Sequence, residues 1–285
     1  MNYLIIVLTI HRNTERQSNL KKILHKQNLN ENVDYIMYYG IDYKNTDKNK
    51  LLNICKSGFK GICPYSILAC ASSHILLWNY ISRLTYDYII VLEDDTYINI
   101  KKYKDIKNVI EKYINNNILF LYSDYYYLPK NKYKFNNNCT IIHSPVFHVS
   151  MGCYIITPNV SKILFEYYIK NKIWFHIDFQ MNFDLKYLKI DRYIFMVNEL
   201  CNQYYGNKSS MGIKHASLFL NKINDTKLHR IVTTPILRIY NIEFDLYVLL
   251  LILFLLLMLI LYNTISILFI ITIFFIIYEL YYSII

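Results

Sequence analysis

The chain lacks the sequence features of several common protein classes. Its six cysteines include no CxxC pair, which argues against a zinc ribbon, and they are too sparse for the disulfide framework of a small secreted protein. The apolar run at residues 3–10 has no basic residue before it and no small-residue cleavage site after it, so we do not expect a signal peptide. No internal repeat is found. The 285 residues are enough for one sizeable domain, with most cysteines as free, buried thiols.

The charge of the chain is strongly positive, with a formal net charge of +10 at pH 7. Such a surplus favours anionic partners, among them nucleic acid, nucleotide phosphates and anionic lipid headgroups. The lysines are spread among asparagine, tyrosine and isoleucine, and they form no continuous basic tract. We therefore expect nucleotide phosphates or lipid headgroups as partners, and no nucleic acid.

Strand-like and helix-like segments alternate through the first two hundred residues. The predicted strands are residues 2–10, 35–39, 88–92, 118–122, 153–156 and 193–197. The predicted helices are residues 16–27, 65–84 and 101–115, and a fourth that begins at Pro158 with Thr157 as its N-cap. This alternation predicts an α/β fold with an open, mostly parallel sheet and helices on both faces.

The C-terminal region is almost uncharged. An apolar run at residues 246–262 is interrupted at Asn263 and resumes at residues 265–278. Because a helix spans the hydrocarbon core with about 20 residues, we expect either one tilted transmembrane helix or a helical hairpin that turns at Asn263. The alternative is a buried core helix. The predicted division of the chain is a folded domain, a linker and a membrane anchor, at residues 1–215, 216–244 and 245–283.

The charges that flank this apolar region predict its orientation. Lys222, Lys227, Arg230 and Arg238 precede it, and only Glu279 comes near its end. Basic flanks tend to stay in the cytosol. We therefore expect the folded domain to be anchored on the cytosolic side of a membrane.

Three adjacent carboxylates carry the clearest indication of chemistry. Glu93, Asp94 and Asp95 come directly after the predicted buried strand at residues 88–92. In open α/β sheets, ligands bind at the carboxyl ends of the strands. A divalent cation with a preference for oxygen ligands, Mg²⁺ or Mn²⁺, would relieve the repulsion among three carboxylates and could bridge a diphosphate. The alternative is a solvated acidic turn.

Four further residues are candidates for the same site. His74 lies on the apolar face of a predicted helix, where it is either a satisfied core histidine or, with Ser73, a neighbour of a bound nucleotide. Arg16 follows the first strand, where a guanidinium either meets phosphate or lies in solvent. Asp178 is flanked by aromatic and apolar residues, so restricted solvent favours a proton-accepting role, with a helix N-cap as the alternative.

In chain order, these segments resemble glycosyltransferase family 25, which includes bacterial lipooligosaccharide galactosyltransferases and collagen hydroxylysine galactosyltransferases. The matching segments are residues 8–12 with Arg16, a C-x-x-S-H-x-x-x-W segment from Cys70 to Trp78, the L-E-D-D sequence at residues 92–95, a strand after Gly152, Asp178, and a loop from Gln203 to Ser209 and Ser210. Together they span residues 2–212. The chain departs from the family pattern at Ala69 and Ser72, where glycine and leucine are usual, and in its apolar C-terminal tail.

The resemblance implies a GT-A-like, Rossmann-type fold that transfers a hexose, with inversion, from UDP-galactose or UDP-glucose to a hydroxyl of a glycan or protein. It implies that Glu93 and Asp95 bind Mn²⁺ or Mg²⁺ and that Asp178 is the catalytic base. The residues that it assigns to the donor site are Arg16, Ser73, His74, Asp94 and Gln203. The alternative is a catalytically inactive, membrane-anchored adaptor, which predicts no metal-dependent nucleotide binding. A metal-dependent phosphoesterase would need more His and Asp ligands than cluster here.

Overall fold

The computed structural model describes residues 1–121, 125–127, 132–136, 139–143, 147–149, 151–197, 199–203, 232–240, 242–260 and 266–284. The chain divides into two units. The larger unit consists of Met1–Ser57 and Tyr65–Tyr204, and the smaller one of Gly58–Pro64 and Tyr205–Ile285.

The strands of the larger unit are short and number twelve among the described residues. They are β1 (Tyr3–Thr9), β2 (Tyr35–Tyr39), β3 (Tyr88–Glu93), β4 (Thr96–Ile98), β5 (Ile118–Phe120), β6 (Tyr125–Tyr127), β7 (Lys132–Asn136), β8 (Cys139–His143), β9 (Phe147–Val149), β10 (Cys153–Ile156), β11 (Arg192–Val197) and β12 (Cys201–Gln203). Eight of them form one sheet in the order β2-β1-β3-β10-β5-β11-β8-β7. Two small sheets pair β12 with β4 and β6 with β9.

The large sheet is mixed, so the prediction of a mostly parallel sheet is wrong. β1 runs parallel to β2 and β3, and β11 runs parallel to β5. β10 is antiparallel to both β3 and β5, and β8 is antiparallel to β7 and β11. Parallel neighbours need a long crossover connection, usually a helix. Between β5 and β10 the described residues form strands instead, and β10 enters the sheet in the reversed direction.

Helices cover both faces of this sheet, as predicted. They are α1 (Thr14–His25), α2 (Lys48–Leu52), α3 (Tyr65–Ile81), α4 (Ile100–Tyr113), α5 (Pro158–Asn171) and α6 (Ile177–Tyr187). One hydrophobic cluster joins α1 and α4 to alternate residues of β1, β3 and β10, including Ile5, Ile90 and Ile155. Tyr154 points to the opposite face, where it contacts His74 and Trp78 of α3. The α/β class is therefore confirmed.

The local sequence explains where the helices begin. The side chain of Thr157 accepts a hydrogen bond from the Val160 amide at 3.2 Å, and Pro158 occupies the first turn of α5. Asn99 caps α4 in the same way by accepting from the Lys102 amide at 3.1 Å. α3 is apolar on most of its surface and is buried along most of its length, as expected for a helix held between other elements.

The smaller unit contains a hairpin and two helices. Its elements are β13 (Pro235–Ile239), β14 (Ile242–Asp245), α7 (Leu246–Ile260) and α8 (Ser266–Ile284). The side chain of Asp245 caps α7 by accepting from the Val248 amide at 2.9 Å. The hydroxyl of Tyr247 donates to the buried carboxylate of Glu279 at 2.5 Å, which ties α7 to α8.

The predicted membrane anchor at residues 245–283 is wrong. Within the described part of the chain, no helix has both the length and the apolar character needed to cross a bilayer. The apolar run is divided between two helices, and the 15 residues of α7 extend about 22 Å, against about 30 Å for a hydrocarbon core. The interruption predicted at Asn263 lies between α7 and α8, and neither helix has the length and apolar character of a membrane span.

The predicted cytosolic orientation is also wrong, because it was derived from the predicted anchor. Lys222, Lys227 and Arg230 lie outside the described residues. Arg238 is buried, and its guanidinium donates to the backbone carbonyls of Cys63, at 3.0 Å, and of Lys60. A guanidinium bound in this way is not a flanking charge of the kind that orients a membrane segment.

Candidate active site

The candidate site lies where the carboxyl ends of β1 and β3 meet. The two strands are parallel neighbours, with Leu8 opposite Glu93. The turn after β1 and the acidic residues after β3 therefore emerge at the same edge of the sheet. The amino end of β10 lies at this edge too, because the Glu93 amide donates to the Gly152 carbonyl at 2.9 Å.

Asp94 is held by three donors from the turn after β1 and the start of α1. Its Oδ2 accepts from the hydroxyl of Thr9 at 2.6 Å and from the side-chain amide of Asn13 at 2.9 Å. Its Oδ1 accepts from the guanidinium of Arg16 at 3.0 Å. Both oxygens of this buried carboxylate are thus occupied, and Asp94 fixes the position of the turn.

Asp95 is bound from two directions. Arg16 donates to its Oδ2 at 3.4 Å, and the side-chain amide of Gln203 donates to its Oδ1 at 2.9 Å. Arg16 is itself buried and bridges the two aspartates. Gln203 is also buried, and its Oε1 has no hydrogen-bond partner among the described residues. A buried acceptor of this kind needs a donor from a ligand or from water.

Glu93 faces α3. Its Oε1 lies 3.4 Å from Nε2 of His74, and its side chain is 28% exposed. His74 is fully buried, and its Nδ1 lies 3.1 Å from the hydroxyl of Tyr154, which also accepts from the indole N–H of Trp78 at 3.1 Å. The histidine therefore has a polar partner on each ring nitrogen, and it lies next to the acidic residues.

Cys70 lies one helical turn before His74. Desolvation raises the pKa of its thiol well above the ordinary value, and the charges of Glu93, Asp178 and Asp95 raise that pKa further. The thiol is therefore protonated at neutral pH. Of these three carboxylates, that of Glu93 has an oxygen within 4.8 Å of the sulfur atom.

Asp178 lies in the first turn of α6. The N-cap position of this helix is occupied by His176, and Oδ1 of Asp178 accepts from the Phe179 amide at 2.8 Å. A carboxylate in the first turn of a helix interacts favourably with the helix dipole. Its charge is one of those that raise the pKa of the Cys70 thiol.

Ser73 makes a different set of contacts. Its hydroxyl donates to the Ala69 carbonyl at 2.7 Å and accepts from the Ile41 amide at 2.8 Å. A Cβ atom at Gly40 would lie 2.6 Å from this oxygen, so the end of β2 approaches α3 only because residue 40 is glycine. Ser73 joins α3 to the chain after β2, and it has no hydrogen bond to the acidic residues.

The segment of the chain that carries most of these residues matches a known family. The chain matches glycosyltransferase family 25 (LPS biosynthesis protein) over residues 2–181. The chain belongs to glycosyltransferase family 25. The matched segment contains every candidate site residue except Gln203, which lies beyond its end.

Solved structures similar to this glycosyltransferase are distant. A glycosyltransferase involved in the glycosylation of the major capsid of PBCV-1 is 11% identical, with a TM-score of 0.31, and the match covers 58% of this chain and 66% of that one. A mannose-1-phosphate geranyltransferase from Thermus thermophilus is 8% identical, with a TM-score of 0.32 and coverage of 71% and 76%. HddC from Yersinia pseudotuberculosis is 15% identical, with a TM-score of 0.29 and coverage of 63% and 85%. None of the curated proteins matches the chain.

Four residues of the candidate site were not among the sequence-based candidates. Thr9 and Asn13 bind Asp94, and Cys70 and Tyr154 flank His74. Position alone could have indicated two of them. Thr9 is the last residue of a strand whose neighbour ends in the acidic triplet, and Cys70 is four residues before His74 on one face of a helix.

Proposed function

We propose that this glycosyltransferase moves a hexose, galactose or glucose, from a UDP-sugar to a hydroxyl of a glycan or protein acceptor, with inversion at the anomeric carbon. The observation that carries the proposal is the meeting of Glu93, Asp94 and Asp95 at the carboxyl ends of the neighbouring strands β1 and β3. Carboxylates so close together repel one another. Their clustering is explained if they serve a cation.

Glu93 and Asp95 are the proposed ligands of Mn²⁺ or Mg²⁺. Their carboxylate oxygens suit either ion, and in the described part of the chain the Glu93 side chain has a hydrogen bond or ion pair only with His74. The ion, when bound, would offset negative charge on the departing nucleotide diphosphate. Asp94 is less suited to this role because three side chains already occupy its oxygens.

The remaining donor-site residues have positioning roles in this proposal. Arg16 orients Asp94 and Asp95 through its two ion pairs. Gln203 orients Asp95 and offers its unpartnered Oε1 to a hydroxyl or N–H of the donor. His74 orients Glu93, and Ser73 fixes α3 against the residues after β2.

Asp178 is the proposed base. In an inverting transfer, the acceptor oxygen bonds to the anomeric carbon as the bond from that carbon to the UDP oxygen breaks. The proton of the acceptor hydroxyl then passes to a carboxylate, here that of Asp178.

A donor screen tests the function. The full chain is incubated with a panel of nucleotide sugars and simple glycan acceptors, with Mn²⁺, with Mg²⁺ or with a chelator, and the released nucleotide is measured. We expect release from UDP-galactose or UDP-glucose that depends on acceptor and cation. Failure of every donor, together with no cation-dependent UDP binding, would favour the inactive adaptor.

Asp95→Asn tests the metal assignment. The substitution removes one charge with little change of volume, and we expect UDP affinity in Mn²⁺ to fall tenfold or more, about 1.4 kcal/mol. Titration calorimetry measures this affinity. The matched control is Asp105→Asn, since Asp105 is exposed on α4, and it should bind UDP like the unmodified chain. Equal affinities for both variants would remove Asp95 from the metal site.

A further inference from the structure

Three side chains with different donor atoms converge beside the acidic residues. Cys70 and His74 lie one turn apart on α3, and Glu93 ends β3. One donor atom from each residue lies within 4.8 Å of the donor atoms of the other two. The three ligands come from a rigid helix and a central strand, and these elements hold side chains more accurately than loops do.

The separations suit a single small cation. Two ligands that bind one zinc ion tetrahedrally, each at about 2.0–2.1 Å, are about 3.4 Å apart. Nε2 of His74 and Oε1 of Glu93 are 3.4 Å apart. The thiol of Cys70, within 4.8 Å of both donor atoms, needs a movement of about 1 Å to complete the set.

The surroundings of His74 prepare its Nε2 to bind a metal. A metal-binding histidine usually donates its other ring N–H to a fixed acceptor, which sets the tautomer. Here Nδ1 lies 3.1 Å from the hydroxyl of Tyr154, and that hydroxyl is held by the indole N–H of Trp78. Tyr154 and Trp78 are buried, so this support is rigid.

We propose that Cys70, His74 and Glu93 bind a zinc-class transition-metal ion, independently of the nucleotide-sugar donor. Thiolate and imidazole ligands favour zinc over Mg²⁺ or Mn²⁺, which prefer oxygen. Three protein ligands also leave a fourth position for water or substrate. The cation deprotonates the thiol, whose proton goes to solvent, and its charge offsets the neighbouring carboxylates. The proposal goes beyond the proposed function, with which it shares Glu93 and His74.

Metal content and cobalt spectroscopy test the site. The full chain is dialysed against zinc-free buffer and then titrated with Zn²⁺ or Co²⁺ in the absence of nucleotide. We expect about one tightly held ion per chain, and cobalt substitution should give the charge-transfer absorption of a cobalt–thiolate bond. A folded chain that binds no zinc under these conditions would overturn the proposal.

Single substitutions identify the ligands. Cys70→Ala should abolish the cobalt–thiolate absorption, whereas Cys139→Ala, which removes a buried cysteine of β8, should retain it. Tyr154→Phe should keep the absorption and weaken zinc affinity by about 10–100-fold, because His74 loses its support. An unchanged absorption in Cys70→Ala would overturn the assignment. If circular dichroism shows that Cys70→Ala does not fold, the test is Tyr154→Phe. An unchanged zinc affinity in that variant would overturn the assignment.

Failure of the zinc site is distinguishable from failure of the proposed function. Mn²⁺-dependent UDP binding and transfer by a chain that binds no zinc would remove only the zinc proposal. A zinc ion that depends on Cys70, in a chain that uses no nucleotide sugar, would support the metal site and remove the transferase proposal.

Discussion

The two ends of β3 have different kinds of polar group, and these groups have different kinds of partner. At the amino end, the hydroxyls of Tyr88 and Tyr103 are 2.6 Å apart and fully buried, and the ring of Tyr3 stacks on Tyr88 at 5.6 Å. Burial raises the pKa of Tyr88 and of Tyr103, so both hydroxyls stay neutral. At the carboxyl end, the groups are carboxylates, and their partners are a guanidinium, amides and an imidazole.

Within this one strand, the polar groups at the amino end serve the fold, and those at the carboxyl end belong to the candidate site. The tyrosine pair is satisfied within the fold, by the hydrogen bond between the two hydroxyls and by Glu111, whose Oε1 accepts from Tyr88 at 3.5 Å. The carboxyl end gathers acidic groups that repel one another, and it leaves Oε1 of Gln203 without a partner in the described residues. Proteins break the rules of stable packing mainly at functional sites. We therefore expect the carboxyl end to be the active site and the amino end to have only a structural role.

The largest effect is expected for Asp178→Asn. If Asp178 accepts the acceptor proton, the transfer rate should fall by roughly 10²–10⁴-fold, because a general base contributes about this much. UDP affinity should not change. Released nucleotide gives the rate and calorimetry the affinity. Asp184→Asn, on the same helix, is the matched control, since Asp184 bonds to Tyr167. A normal rate in Asp178→Asn would show that another carboxylate is the base.

Arg16→Met should cost the most stability. The substitution leaves two buried aspartates without their guanidinium, and breaking a buried ion pair costs about 3–5 kcal/mol. Urea denaturation measures the loss. Lys21→Met is the control on the same helix, because the exposed pair of Lys21 and Glu31 is worth about 0.2–1 kcal/mol. Similar losses for the two variants would mean that Arg16 does not hold the carboxyl end together.

Tyr103→Phe should have a smaller effect, confined to stability. It leaves the buried hydroxyl of Tyr88 without its 2.6 Å partner, at a cost of about 1–3 kcal/mol. The double substitution Tyr88→Phe with Tyr103→Phe should cost less than the single one, because neither hydroxyl is then left unpaired. Transfer by the folded fraction should be normal. A rate loss comparable to that of Asp178→Asn would contradict the division between the two ends.

The sequence predicted the parts of the fold that depend on local pattern. The six predicted strands and four predicted helices are present, with bounds shifted by at most three residues in the segments compared. The acidic triplet lies at the end of a buried strand, as expected. Thr157 and Pro158 begin α5, as their residue types indicated. Each of these predictions relies on residues within one or two turns of one another.

The wrong or missing predictions depend on distant partners. The direction of β10 depends on how the chain travels between β5 and β10, which hydrophobicity does not encode. Arg16 was expected to meet phosphate or solvent, and it binds Asp94 and Asp95, nearly eighty positions along the chain. The tail was predicted to be an anchor from its apolar composition, which does not give the lengths of the helices that form there. Ser209 and Ser210 lie outside the described residues.

The hydrogen bond between Gln203 and Asp95 limits where the chain can be truncated. The family match ends at residue 181, before β11, which belongs to the large sheet, and before β12, which carries Gln203. A fragment ended at that limit would expose one side of β5 and remove the amide that holds Asp95. The segment that sequence comparison identifies is therefore shorter than the large sheet, and a truncation that keeps both the sheet and the hydrogen bond to Asp95 must retain residue 203.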